Sequence, residues 1–97
     1  MDKRIYLNNL YDYYKELFTD KQQQYFEEYY YDNLSLAEIA ENNDISRNAV
    51  HNQLKTVETR LEELENILGL FSKKERIINL VSDELSQETL EKLIEMI

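Results

Sequence analysis

One glycine and no proline occur in a chain of 97 residues. Tight hairpins depend on residues that adopt left-handed angles or preset a bend, chiefly Gly, Pro and Asn-Gly pairs. A sheet of several strands needs a series of such turns, and this chain supplies almost none. Helices ask for less, because Ser, Thr, Asp and Asn can start them. The fold expected is therefore all-α. Residues 1–97 should form a single domain, since a chain of this length usually builds one core.

The periodicity agrees. Leu7, Leu10, Tyr14 and Leu17, widened by Tyr11 and Phe18, lie on one face of a helix running from residue 2 or 3 to 18. Thr19 with Gln22 reads as a capping box, so a second helix begins near Asp20, carries Tyr25, Phe26, Tyr29 and Tyr30, and fades by Asp32 and Asn33. Ser35 with Glu38 opens a short third helix. Asn42, Asn43 and Asp44 interrupt it, because short polar side chains bond the local backbone and tolerate left-handed angles.

Ser46 caps the next helix, in which Val50, Leu54, Val57, Leu61, Leu64 and Leu68 keep helical spacing over about five turns. Gly69 stands where a left-handed residue would end it. Ser72 with Glu75 marks a fifth start, followed by Ile77, Ile78, Leu80, Val81 and Leu85. Ser86 marks a sixth, with Leu90, Leu93, Ile94 and Ile97. Six helices are expected, the last two short.

Composition excludes several function classes. With no cysteine there is no disulfide framework, thiolate metal site or cysteine nucleophile. A single glycine excludes Gly-rich phosphate loops, and one histidine without an HExxH context argues against a metal hydrolase. No cofactor, metal or catalytic cluster is indicated, so an enzyme is not expected. Apolar runs of three or four residues fall far short of the ~20 needed to span a membrane. The N-terminus leads into a Tyr- and Asn-rich stretch rather than a signal core. A soluble cytoplasmic protein is the expectation.

Residues 36–54 carry the most information. A helix-turn-helix needs a small residue where its helices cross, here Ala40, with an apolar anchor before it, Ile39. It needs an inward residue in the turn, Ile45, and one on the second helix facing the first, Val50. The motif would occupy residues 35–60. A plain αα-hairpin in a bundle shares the spacing, but the string Ser-Leu-Ala-Glu-Ile-Ala with Ile-Ser-Arg-Asn-Ala-Val is narrower than spacing alone. The second helix would then offer Ser46, Arg47, Asn48, His51, Asn52 and Lys55 to a nucleic acid, Arg suiting guanine or phosphate and Asn suiting adenine. Residues 46–60 hold Arg47, Lys55 and Arg60 against Glu58 alone, a local +2 on a chain of net charge -9. Three cations neutralise few phosphates.

These strings carry a resemblance. Lys21-Gln22 with Tyr25, Phe26 and Tyr29-Tyr30-Tyr31, then Leu34 to Ala40, then Ile45 to His51, with trailing Leu54, Glu58, Leu61 and Glu65, are similar to region 4 of sigma factors over residues 19–65. More closely, most of the chain resembles the YlxM family of small bacterial proteins. The resemblance implies a part in, or regulation of, co-translational targeting, because YlxM-type genes lie beside those for the signal recognition particle GTPase and its receptor. It implies a nucleic-acid partner, DNA or the particle's small RNA, contacted through Ser46, Arg47, Asn48, His51, Asn52 and Lys55. The GTPase is a further candidate partner. Family members usually place an aromatic or aliphatic residue and then glycine in the turn, where this chain has Asn43 and Asp44. Asp44 in a left-handed position would cost about 1 kcal/mol relative to glycine, and Asn43 would forgo an apolar contact.

Three further features have structural and functional readings. Eight tyrosines are mostly core by spacing, with Tyr13, Tyr30 and Tyr31 the candidates for exposed base-stacking rings. The stripe from Leu54 to Leu68 is expected to pack within the chain in its first half, and residues beyond Leu61 or the C-terminal helices could form a homodimer. Residues 61–97 hold 9 acids and 4 bases, a solvated face or a protein-docking surface.

Overall fold

The computed structural model describes all 97 residues and contains six α-helices and no strand. They are α1 (Lys3–Tyr14), α2 (Asp20–Tyr30), α3 (Leu36–Asn43), α4 (Arg47–Leu68), α5 (Leu70–Val81) and α6 (Gln87–Met96). The all-α expectation holds. No helix is long and apolar enough to cross a membrane.

Helix α4 is the spine, and two apolar clusters share it. Toward its C-terminal half, Val57, Leu61 and Leu64 pack with Leu7, Leu10, Tyr11 and Tyr14 of α1 and Phe26 and Tyr30 of α2. Toward its N-terminal half, Val50 and Leu54 pack with Ile39 and Ala40 of α3 and Tyr25 of α2. The stripe read from the sequence is buried through Leu64 and emerges at Leu68. Within the first cluster Tyr11 and Phe26 stack at 4.1 Å between ring centroids, and Phe26 and Tyr30 at 4.3 Å.

Three of the four buried tyrosines, Tyr11, Tyr14 and Tyr30, hydrogen bond a carboxylate through their hydroxyls. Tyr11 donates to Glu27 at 2.6 Å, Tyr14 to Glu65 at 2.7 Å, and Tyr30 to Glu58. Burial, reinforced by these acceptors, pushes all three phenols well above their ordinary value, Tyr14 to about 12. Much of the tyrosine content and part of the acid content is thereby structural. Tyr30 is buried, not an exposed stacking ring; Tyr13 is half-buried and Tyr31 alone of the three is exposed.

Four helix starts follow the sequence closely. Thr19–Gln22 and Ser35–Glu38 form complete capping boxes, and the Ser46 and Ser86 hydroxyls each accept from the amide three residues on. Two boundaries differ. Helix α1 stops at Tyr14 and tightens into a 3-10 turn over Lys15–Leu17 rather than running to residue 18. The tighter winding leaves Leu17 exposed and sends Phe18 into the core, while the Gln23 amide donates to the carbonyls of Lys15 and Phe18.

Helix α5 begins at Leu70, directly after Gly69, and not at Ser72. Gly69 is left-handed (φ 61°) and joins the two helices without a loop. The cap comes from the preceding helix. Glu65, 7% exposed, accepts from the Phe71 amide at 3.2 Å and the Ser72 amide at 3.0 Å, and Tyr14 Oη accepts from the Leu70 amide at 3.2 Å. A carboxylate at the positive end of a helix satisfies amides that would otherwise lack partners.

The molecule measures 52 × 25 × 23 Å, with a radius of gyration of 16.4 Å. A globule of this length would give about 12–13 Å. The elongation arises because α5 and α6 extend the spine as a hairpin, neither contributing a fully buried residue.

Candidate nucleic-acid interface

The turn between α3 and α4 is three residues, Asp44 to Ser46. Asp44 is left-handed (φ 54°, ψ 47°). Ile45 tucks half-buried against the second cluster, its amide donating to the Ala40 carbonyl at 3.1 Å. Ala40, 7% exposed, is buried with Val50 and Leu54 of α4.

Asn43 corrects an expectation. Its amide nitrogen donates to Glu28 at 2.9 Å and to the Ile39 carbonyl at 2.8 Å, and its oxygen accepts from Gln24 at 2.8 Å. Asn42 also donates to Glu28, at 3.4 Å. The apolar contact is replaced by a polar brace that ties the end of α3 to α2. Glu28, Gln24 and Asn43 position the motif, and no short-range pattern marks them.

Ser46 leaves α4 open at its first turn, where there is no acidic side chain. With Val50, Leu54, Val57 and Leu61 facing the core, the 3.6-residue period sends the remaining positions outward. Ser46, Arg47, Asn48, His51, Asn52 and Lys55 are all exposed, and the five helical ones line one face in i, i+4 register. The strip continues beyond the predicted set. Asn52, Lys55, Thr56, Thr59, Arg60 and Glu63 line a shallow polar depression along α4 with no apolar residue in it. Thr56 and Thr59 follow from Asn52 and Lys55 by the same four-residue step, which is the signal that could have found them.

The formal +2 of residues 46–60 is carried on this face by two free cations. Glu58, the one acid between residues 46 and 60, turns inward, half-buried, to accept from Tyr30. Arg60 pairs with Glu63 at 3.2 Å. Arg47 and Lys55 have no carboxylate within 4.0 Å. Against this, Glu38, Glu41 and Asp44 are exposed on α3 and the turn. A helix N-terminus with two free cations and the amide side chains of Asn48 and Asn52 can take phosphates and base edges.

Comparison with known proteins gives a consistent result. Residues 1–97 match the family UPF0122, helix-turn-helix proteins described as YlxM / p13 like. A UPF0122 protein of Halalkalibacterium halodurans is 46% identical over 76 residues, covering 78% of this chain and 70% of the relative. One from Exiguobacterium sibiricum is 45% identical over 87 residues, covering 90% and 81%. One from Bacillus mycoides is 42% identical over 91 residues, covering 91% and 83%. Matched along its whole length, the chain belongs to the UPF0122 family of YlxM / p13 like helix-turn-helix proteins.

Proposed function

We propose that this protein is a cytoplasmic nucleic-acid-binding regulator, one domain over residues 1–97 with its helix-turn-helix at 35–60. Its contact surface is Ser46, Arg47, Asn48, His51, Asn52 and Lys55, continued by Thr56 and Thr59. The observation that carries the reading is the segregation of α4, with Val50, Leu54 and Val57 in the core and two unpaired cations among amide and hydroxyl groups outside. The resemblance to YlxM proteins directs this activity to the signal recognition particle pathway, with the particle's small RNA as ligand. Fluorescence anisotropy with that RNA and with random duplex DNA, from low to physiological salt, tests the assignment. Preferential RNA binding supports it, and tighter binding to the duplex DNA than to the RNA would favour a transcriptional regulator instead.

The net charge of -9 favours a second reading, because it opposes approach to a polyanion over most of the surface. In it the motif is a scaffold that docks on the targeting GTPase. Complex formation with the GTPase in the absence of RNA supports that version, and a complex that requires RNA refutes it.

A further inference from the structure

The α5–α6 hairpin is under-buried for its composition. Helices of 12 and 10 residues are marginal in water unless an apolar face is covered, and no residue of either is fully buried. Leu80 and Met96 stand 78% and 82% exposed, and Leu68, Leu70 and Ile77 are exposed as well. Lys73 and Arg76 flank Ile77 and Leu80 in one shallow depression on α5.

The charges on this hairpin are segregated and unsatisfied. Helix α5 carries Lys73, Lys74 and Arg76 against Glu75, whereas residues 83–97 carry Asp83, Glu84, Glu88, Glu91 and Glu95 against Lys92. The one ion pair here lies within α6, Lys92 with Glu88 at 3.4 Å. No α5 cation has a carboxylate within 4.0 Å, although an acidic helix is its neighbour in the chain. A surface that carries exposed apolar side chains together with a basic helix and an acidic helix can be complementary to itself under a two-fold rotation.

We propose that this face binds a second copy of the chain, forming a symmetric dimer in which α5 of one protomer packs against α6 of the other. Two chains of net charge -9 repel over most of their surfaces, and the hairpin is where a basic strip can meet an acidic one. The apolar stripes close over each other, and Lys73 and Arg76 meet Glu91 and Glu95 of the second copy at the rim. The contact lies at the C-terminal end of α4, about 33 Å of helix from Arg47, so both recognition faces stay free and one dimer presents two of them. The inference goes beyond the nucleic-acid reading and is independent of it.

Light scattering after size exclusion, on the full chain across a concentration series, reads the mass directly. The expected result is twice the 11.7 kDa of the chain, falling to 11.7 kDa in Leu80→Asp with native helical circular dichroism. Charge reversal provides a test that does not disturb the apolar stripe. Lys73→Glu with Arg76→Glu should weaken dimerisation at least tenfold, and adding Glu91→Lys with Glu95→Lys to the same chain should restore it. A wild-type chain that stays at 11.7 kDa throughout overturns the proposal. So does a Leu80→Asp chain that remains dimeric, or a fourfold charge variant that fails to recover association.

Discussion

Replacing Tyr14 by Phe removes one hydroxyl and nothing else from the packed core, yet that hydroxyl joins three helices. It donates to Glu65 at 2.7 Å and accepts from the Leu70 amide at 3.2 Å, linking α1 to the end of α4 and the start of α5. A hydrogen bond to a charged group contributes about 1.5–3 kcal/mol, because the acceptor left behind keeps its desolvation cost. Glu65 retains the Phe71 and Ser72 amides, so the lower part of that range applies, about 2 kcal/mol. In a domain of this size that corresponds to a fall in Tm of about 8–16 °C.

The substitution also carries a pH signature. Burial alone would raise the Glu65 carboxyl, but the bond from Tyr14 and those from the Ser72 and Phe71 amides outweigh it and hold the group below its ordinary 4.5. A carboxylate with a depressed folded-state pKa stabilises the fold above 4.5, and the contribution disappears as pH falls through the folded value. Tyr14→Phe should therefore lose stability at pH 7 and show a shallower decline than the wild type as pH falls below 4.5. Urea titrations followed by circular dichroism at several pH values measure both. Amide exchange should quicken at Phe71 and Ser72 before it quickens at Val57, because the N-terminus of α5 loosens first. A variant within 0.3 kcal/mol of wild type (about the resolution of ΔΔG comparisons), with an unchanged acid slope, would refute the clamp.

The remaining predictions concern the turn that aims α4. Asp44→Gly should raise stability by up to about 1 kcal/mol in urea unfolding, since glycine takes the left-handed angle without a Cβ penalty. Asn43→Ala should lower it by about 1–2 kcal/mol, because Glu28 and Gln24 lose their shared partner. A thermal melt distinguishes that loss from no effect. Ser46→Ala removes the α4 cap and should destabilise by about 1 kcal/mol in the same assay, with a larger effect on nucleic-acid binding than on Tm if the first turn is a contact.

What was legible in the sequence was what is decided locally. The boxes at Thr19–Gln22 and Ser35–Glu38, the caps at Ser46 and Ser86, and the left-handed stop at Gly69 involve neighbours within three residues, and the structure keeps all of them. The outward set on α4 followed from the period of its buried residues. What escaped depends on partners far along the chain. Gln23 sets how α1 ends, and Glu65 caps α5 from the preceding helix, where Ser72 looked like the better local signal. Tyr30 is drawn inside by Glu58, 28 residues later, while the triplet Tyr29-Tyr30-Tyr31 carries no mark of which ring is buried. Asn43 was read as a lost apolar contact because its brace lies on α2.

The central claim is that the outer face of α4 binds nucleic acid, and the salt dependence of binding tests it most directly. Each phosphate contact contributes about 0.7–0.9 to the slope of log K against log salt. The account predicts that Arg47→Ala with Lys55→Ala weakens binding and lowers that slope by about 1.5 while the melting curve stays put. Equal affinity and an equal slope in wild type and variant would place the contact elsewhere and contradict it.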